Sequence, residues 1–191
     1  MRTGERHTFL FTDLVGFTAL TEANGDDSAA ELAVEFYDRV RRLLPEHGTE
    51  EIKTIGDAIM LRSEEPGHAI RLGLRIVSEL EQVPGFPPVR VGMDTGPAVA
   101  RDNDWYGATV NVAARLCAAA GGGQVLVSDT THMAAGRLKW VELDEPELHW
   151  LKNVTEPVAA RLASEKECPF SKPAWLRSLK LSVGSRLAGT P

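Results

Sequence analysis

The chain has 191 residues, is 43% hydrophobic and 25% charged, and carries a formal net charge of −6. This fits one soluble globular domain plus a tail, and the acidic balance argues against a nucleic-acid partner, which needs a basic face. No apolar run approaches the roughly 20 residues that cross a bilayer, and the N-terminus has no apolar core of a signal peptide. The two cysteines, Cys117 and Cys168, fit neither a zinc site nor a disulfide framework. We therefore expect a cytoplasmic protein without a membrane span.

The first half of the chain predicts alternating strands and helices. Residues 7–12 form a short apolar strand, and residues 28–44 carry apolar side chains at helical spacing. Residues 51–63 predict a β-hairpin, because Gly56-Asp57 suits a tight turn. Pro66 then opens a second amphipathic helix, and VRVGMDTG, residues 89–96, is the next strand.

The second half adds a helix over residues 108–120, a strand over 124–128, a short helix near Thr130 and two closing strands between 139 and 162. The core order of strand, helix, hairpin, helix and strand predicts a ferredoxin-like βαββαβ sheet of the α+β class, with helices on one face. We predict one domain over residues 1–163 and a basic tail over 164–191. The tail carries +3 while the remainder of the chain carries −9.

Three segments contain the candidate functional residues. FTDLVGFT carries Asp13, KTIGDAIM carries Lys53 and Asp57, and DWYGATVNVAARL carries Asp104, Asn111 and Arg115. Each has an ordinary interpretation when taken alone. An Asp after a strand caps a helix, an Asp in Gly-Asp is turn chemistry, and polar residues at i and i+4 share the wet face of a helix.

The combination points to phosphate chemistry. Asp13 and Asp57 are expected at the ends of neighbouring central strands, and paired carboxylates are hard oxygen ligands for Mg²⁺ or Mn²⁺. Backbone amides of the LVGFT segment, at a helix start, suit phosphate oxygens. The pattern therefore predicts a metal-bound nucleoside triphosphate at Asp13. Asp94 is a third acid in a strand-end position, and we interpret it as a structural turn residue.

In order and spacing, FTDLVGFT, KTIGDAIM, VRVGMDTGPAVA and DWYGATVNVAARL resemble the catalytic domain of class III nucleotidyl cyclases. The resemblance runs from about residue 7 to residue 163. The short segment ARDNDWYG is similar to that of cyclases without a longer dimerisation arm. The resemblance implies a cyclase that binds a nucleoside triphosphate with two divalent metal ions, Mg²⁺ or Mn²⁺.

The resemblance also implies a role for each candidate residue. The metal ligands would be Asp13, Asp57 and the backbone carbonyl of Leu14. The phosphate contacts would be Gly16, Phe17, Thr18 and Lys152, with Arg101 in the shortened loop as a further candidate. Lys53 and Asp104 would read the base, Asn111 would orient the ribose, and Arg115 would stabilise charge on the transferring phosphate.

The base-reading pair favours ATP over GTP. Adenine offers an acceptor at N1 and a donor at N6, which match the ammonium of Lys53 and the carboxylate of Asp104. Guanine offers the reverse polarity, and guanylyl members of the family typically carry Glu and Cys at these positions. We therefore expect an adenylyl cyclase, with a guanylyl cyclase as the alternative. A diguanylate cyclase is disfavoured because the hairpin reads IGDAI rather than GGDEF.

The family resemblance implies a homodimer with two active sites at the interface. In the family, one chain supplies the metal aspartates and a second supplies the residues corresponding to Lys53, Asp104, Asn111, Arg115 and Lys152. This sequence contains both halves, so a head-to-tail homodimer is expected. A catalytically silent dimerisation or nucleotide-binding module is the other alternative. Such modules usually lose a metal Asp, the Asn or the Arg, and all are present here.

Overall fold

The computed structural model of the protein describes residues 6–166. The first elements are β1 (Arg6–Leu14), α1 (Phe17–Asn24), α2 (Asp26–Leu43), a 3₁₀ helix (Pro45–His47), β2 (Thr49–Ile55), β3 (Ala58–Ser63), α3 (Pro66–Glu81) and β4 (Val89–Pro97). The later elements are β5 (Val99–Arg101), β6 (Asp104–Tyr106), α4 (Ala108–Ala119), β7 (Val125–Ser128), α5 (Asp129–Ala135), β8 (Val141–Leu143), β9 (Glu147–His149) and β10 (Val158–Glu165).

The central sheet has the predicted ferredoxin-like core. Its strand order begins β2-β3-β1-β4, and each neighbour in this core is antiparallel. Strand β7 then pairs parallel to β4, and β10 pairs antiparallel to β7. Short strands β8 and β9 both pair with β10. The α+β prediction is confirmed, with the sheet extended beyond the core by the later strands.

Helices cover both faces of this sheet. Successive side chains of a strand point to opposite faces, and in β1 Leu10 and Leu14 pack with the α2 and α3 side chains while Phe9 and Phe11 pack with α4. The prediction that the core helices lie on one face holds for α2 and α3, and the added helix α4 covers the other face. Because β1 is buried on both faces, its apolar side chains point to both of them, so the sequence does not reveal which helix lies on which face.

Gly92 lets α4 lie directly against β4. A methyl group added at Gly92 would lie 1.9 Å from the backbone nitrogen of Cys117 and 2.5 Å from the carbonyl carbon of Leu116. These are backbone atoms, so no side-chain rotation relieves the overlap. The close approach of helix and strand therefore depends on the absence of a side chain at this position.

Three local features differ from the sequence predictions. A separate helix α1 precedes α2, and the two are divided at Gly25, whose φ of 86° is rarely adopted by other residues. The segment after β4 forms a small hairpin, β5–β6, whose turn residues Asp102 and Asn103 have φ of 51° and 59°. The closing segment forms three strands instead of two, namely the short β8 and β9 and the longer β10.

The ends of the chain lie outside the described residues. Strand β10 ends at Glu165, and the predicted tail is described only to Lys166, so Cys168 and the remainder of the tail fall outside. Within residues 6–166, the helices are too short or too polar to cross a membrane.

Candidate active site

Asp13 and Asp57 meet at one end of the core sheet. Asp13 lies within β1 and pairs in register with Ala58 of β3, so Asp57 in the preceding turn is its immediate neighbour across the strands. The turn joins Ile55 to Ala58 through Gly56 and Asp57, and Gly56 has the positive φ of 60° that the first position of such a turn requires. The predicted convergence of the two carboxylates is present, although Asp13 lies inside the strand and not after it.

The two carboxylates interact unfavourably in the absence of a cation. Burial, and then the negative charge of Asp13, raise the pKa of Asp57 to about 6. An adjacent divalent cation would favour the ionised form of Asp57 and so oppose both the effect of burial and the repulsion from Asp13. Within residues 6–166 no cluster of three or more metal-ligating side chains exists. Two carboxylates with further oxygens from backbone and substrate phosphate are a usual Mg²⁺ environment, so these residues fit the expected metals.

Arg90 is a functional candidate that the sequence interpretation missed. It faces Asp13 in the register of β1 and β4, and its Nε donates to Oδ2 of Asp13 at 2.9 Å. Its Nη2 donates to the same oxygen, and its Nη1 donates to the carbonyl of Ala118 at 3.0 Å. Arg90 therefore compensates the charge of Asp13 and ties it to the end of α4. The sequence feature that could have indicated Arg90 is a charged residue between two valines in a strand.

Tyr37 is a second missed residue. Its hydroxyl, on α2, donates to the backbone carbonyl of Gly56 and so holds the turn that carries Asp57. Burial and then the charge of Asp57 raise the pKa of Tyr37. Nothing in the local sequence indicates this contact, because it depends on where α2 lies relative to the hairpin.

The start of α1 presents free backbone donors beside β1. Gly16 precedes the helix with φ of 79°, and the first intrahelical bond is donated by Leu20 to the Gly16 carbonyl. The amides of Phe17 and Thr18 come before that bond and point toward the helix N-terminus. Gly16 and Thr18 are exposed. Leu14 is fully buried in the core, so only its backbone is available to a ligand.

Lys53 and Asp104 form an ion pair within one chain. The Lys53 ammonium donates to Oδ2 of Asp104, and Oδ1 of Asp104 accepts from the backbone nitrogen of Trp105 at 2.8 Å. The hydrogen bond from Lys53 is the main cause that lowers the pKa of Asp104. The missed hairpin β5–β6 carries Asp104 to the edge of β2, where Lys53 lies. The two predicted base-reading residues are therefore neighbours.

The remaining predicted residues lie on the surface. Asn111 and Arg115 share one exposed face of α4, and Lys152 is exposed in the loop after the buried Leu151. The Arg101 side chain is 80% exposed in the β5–β6 hairpin and lies 3.7 Å from the carboxylate of its neighbour Asp102. In the described part of the chain, no hydrogen bond or ion pair joins Asn111 or Arg115 to the Asp13–Asp57 pair.

Asp94 and Cys117 have structural roles. Asp94 is buried within β4, and its Oδ1 accepts from the hydroxyls of Ser128, at 2.6 Å, and Thr130. The interpretation of Asp94 as structural is consistent with these bonds, but its placement in a turn is wrong. Cys117 is a buried free thiol on the sheet-facing side of α4, and burial raises its pKa to about 12.

Replacing Asp94 by Asn is expected to change how stability depends on pH. Burial raises the pKa of Asp94 above its ordinary value of 3.8. The carboxyl group of Asp94 therefore binds its proton more tightly in the folded protein than in the unfolded chain. As a result, ionisation of Asp94 lowers the free energy of unfolding of the wild type as pH rises through the raised pKa. Asn does not titrate, so the free energy of unfolding of Asp94→Asn relative to wild type should be higher at about pH 7 than at about pH 4.

Urea unfolding followed by circular dichroism at the two pH values measures this difference. Asp102→Asn, at an exposed turn position, is the matched control. A difference for Asp94→Asn that is the same at both pH values would contradict the effect of burial.

Comparisons with known proteins identify close similarity to one family. The chain matches the model of the adenylate and guanylate cyclase catalytic domain over residues 1–149. It is 39% identical over 129 residues to a pH-sensitive adenylate cyclase of Mycobacterium tuberculosis, an alignment covering 68% of this chain and 32% of that protein. It is 34% identical over 117 residues to an adenylate cyclase of Streptomyces griseus, covering 61% and 29% respectively.

A solved structure has the same fold. An adenylate cyclase of Trypanosoma brucei in its monomeric state superposes with a TM-score of 0.77 at 24% identity, covering 83% of this chain and 88% of that chain. The chain spans less than a third of the length of the two curated relatives.

Proposed function

Because the chain belongs to the adenylate and guanylate cyclase catalytic domain family, we propose that it converts ATP to 3′,5′-cyclic AMP and pyrophosphate. The observation that carries this proposal is the ion pair of Lys53 and Asp104. The pair presents an ammonium donor and a carboxylate acceptor side by side, which match N1 and N6 of adenine. With guanine, the Lys53 ammonium would face the N1 donor and the Asp104 carboxylate would face the O6 acceptor. Each group left without a hydrogen bond costs about 1–3 kcal/mol.

The reaction forms a bond between the ribose 3′-oxygen and the α-phosphorus and breaks the bond from that phosphorus to pyrophosphate. Asn111 orients the ribose so that its 3′-hydroxyl faces the α-phosphorus. Arg115 stabilises the charge that develops on the transferring phosphate. Two divalent ions, held by Asp13, Asp57 and the carbonyl of Leu14, would supply activation of the hydroxyl and neutralisation of the triphosphate.

The triphosphate is held by donors from two regions of the chain. The amides of Gly16, Phe17 and Thr18 at the start of α1 contact the β- and γ-phosphates, which the helix N-terminus also favours electrostatically. Lys152 adds a positive charge from the loop before β10, and Arg101 is a further candidate contact. Both cationic side chains are exposed, which supports contact with a ligand held mainly by another chain.

We also propose that the active unit is a head-to-tail homodimer with two equivalent sites. Asn111 and Arg115 face solvent and are not bonded to the Asp13–Asp57 pair of their own chain, which supports their use by a second chain. Each site then combines the aspartates of one protomer with Lys53, Asp104, Asn111, Arg115 and Lys152 of its partner. The cytoplasmic location of the protein stays a prediction.

The double replacement Lys53→Glu and Asp104→Cys tests the base preference. Wild type is expected to turn over ATP in preference to GTP with Mg²⁺ or Mn²⁺, and the double variant should lose at least about tenfold in that preference because both contacts change polarity. Product formation from each nucleotide with each metal is measured as kcat/KM.

The exposed ion pair of Glu35 and Arg39 on α2 provides the control. The matched variant Glu35→Cys with Arg39→Glu makes the same chemical changes away from the site and should keep the preference. A wild-type protein that prefers GTP, or a double variant of Lys53 and Asp104 that keeps the ATP preference, would overturn the base assignment.

A further inference from the structure

A second concave site lies on the α3 side of the sheet. It is a pocket of about 580 Å³, bordered by the 3₁₀ helix, the first turns of α3 and the segment 138–140. The 3₁₀ helix precedes Thr49, which pairs with Ser63 and lies at the opposite end of β2 from the turn that holds Asp57. Along β1, Thr8 pairs with Ser63 and Asp13 pairs with Ala58. At about 3.4 Å per residue, the pocket end and the Asp57 end of the hairpin are therefore roughly 17 Å apart.

The pocket places two arginine guanidiniums in one lining, although two glutamates in the same lining balance their formal charge. Four basic side chains line it, namely His47, His68, Arg71 and Arg75, and the acids in its lining are Glu46 and Glu165. The exposed Arg75 approaches the half-buried Glu79 at 3.5 Å. Within residues 6–166 Arg71 has no carboxylate partner and lies over the ring of Trp140, 4.3 Å from its centroid. The two guanidiniums are therefore weakly compensated.

His47 provides a buried polar group in the same pocket. The residue is only 7% exposed, and among the described residues its ring makes no hydrogen bond. Burial lowers the pKa of His47, and the nearby charges of Arg71, His68 and Arg75 act in the same direction against the opposing Glu46. The His47 ring nitrogens are not among the buried unpaired side-chain atoms of the described residues, so the imidazole can be reached from the pocket and can exchange a hydrogen bond with a ligand there.

The remaining walls add a helix N-terminus and an apolar surface. Gly67, in the first turn of the 16-residue helix α3, lines the pocket, and the N-terminal end of a helix attracts anions. Leu138 and Trp140 form an apolar side. Planar guanidiniums match the geometry of phosphate oxygens, and an apolar wall suits the organic part of a ligand.

We propose that this pocket binds a small organic phosphate, with Arg71, Arg75 and His47 contacting the phosphate and with Leu138 and Trp140 contacting the organic part. The site is separate from the Asp13–Asp57 pair and does not depend on the cyclase activity proposed above. It gives the domain a place at which a phosphorylated small molecule binds without occupying the active site.

Titration of the protein with phenyl phosphate tests the proposal. The indole N–H signal of Trp140 in an NMR spectrum, assigned with Trp140→Phe, reports on this pocket and not on the phosphate subsite of the active site. Wild type should give a saturable shift, and Arg71→Gln or Arg75→Gln should weaken binding about tenfold or more, because each removes a charged hydrogen-bond donor. Arg42→Gln, at an exposed position on α2, should bind as wild type does.

Arg75→Gln keeps the Arg71–Trp140 contact, so it tests the site even if Arg71→Gln is destabilised. Titration with benzoate shows whether a carboxylate can replace the phosphate group, and titration with phenol shows whether the ring alone is enough for binding. A shift that does not saturate, equal binding by Arg75→Gln and wild type, or equal binding of benzoate and phenyl phosphate would overturn the proposal.

Discussion

Mixing the two inactive variants Asp57→Ala and Arg115→Ala is expected to restore about a quarter of wild-type cyclase activity. Each variant alone should lose at least about 10²–10³-fold in kcat, because each removes a group that acts on the transferring phosphate or on its metals. In a mixed dimer, one site lacks both groups and the other is intact. Random pairing makes half of the dimers mixed, and half of their sites are intact.

The control for this experiment mixes two variants from the same half of the site. Asn111→Ala and Arg115→Ala both change exposed residues of α4, so neither should impair folding. In a dimer of these two variants every site lacks one required group, and no activity should return. The assay is cyclic AMP formation after the proteins are mixed, with dimer formation followed by size-exclusion chromatography. Restoration in the control, or none in the test pair despite dimer formation, would contradict the shared sites.

Replacing Gly92 by Ala is expected to lower the free energy of unfolding by about 3 kcal/mol or more. The added methyl group would lie 1.9 Å from a backbone atom of Cys117, so α4 must move away from β4 to admit it. That movement would expose the apolar side chains packed between α4 and the sheet. It would also displace Asn111 and Arg115, so activity should fall together with stability. Urea unfolding and cyclase assays measure the two effects.

Gly67→Ala is the matched control. A methyl group at Gly67 would meet the flexible end of Leu138 at 3.4 Å, which is ordinary contact, and Ala is favoured over Gly in a helix by up to about 1 kcal/mol. This variant should therefore be at least as stable as wild type. An unfolding midpoint for Gly92→Ala equal to that of wild type would mean that α4 does not lie so close to the strand.

The core fold could be predicted because its signals are local. Turn chemistry at Gly56-Asp57, the Pro at the start of α3 and the apolar spacing of α2 and α3 each depend on residues close together in the chain. The observed hairpin extends from Thr49 to Ser63, and α3 begins at the predicted Pro66. The order of these elements was then sufficient to predict the ferredoxin-like core.

Other features were misread because local signals were weak or ambiguous. Asp94 resembles a turn residue beside Gly96, but β4 continues through it to Pro97 because β1 pairs with it along the whole length. The hairpin that carries Asp104 is only three residues on each side, too short for a periodic pattern. Its turn at Asp102-Asn103 was visible as a polar loop but not as a paired structure.

The sequence by itself determined the element order, the candidate acids and the family resemblance, since these depend on residue type and spacing along the chain. Only the tertiary structure decided that Arg90 contacts Asp13, that Tyr37 holds the Asp57 turn, and that α4 lies on the opposite face from α3. Asp13 and Arg90 are 77 residues apart. Such contacts depend on strand register and helix position, which many distant packing interactions fix together and no local pattern records.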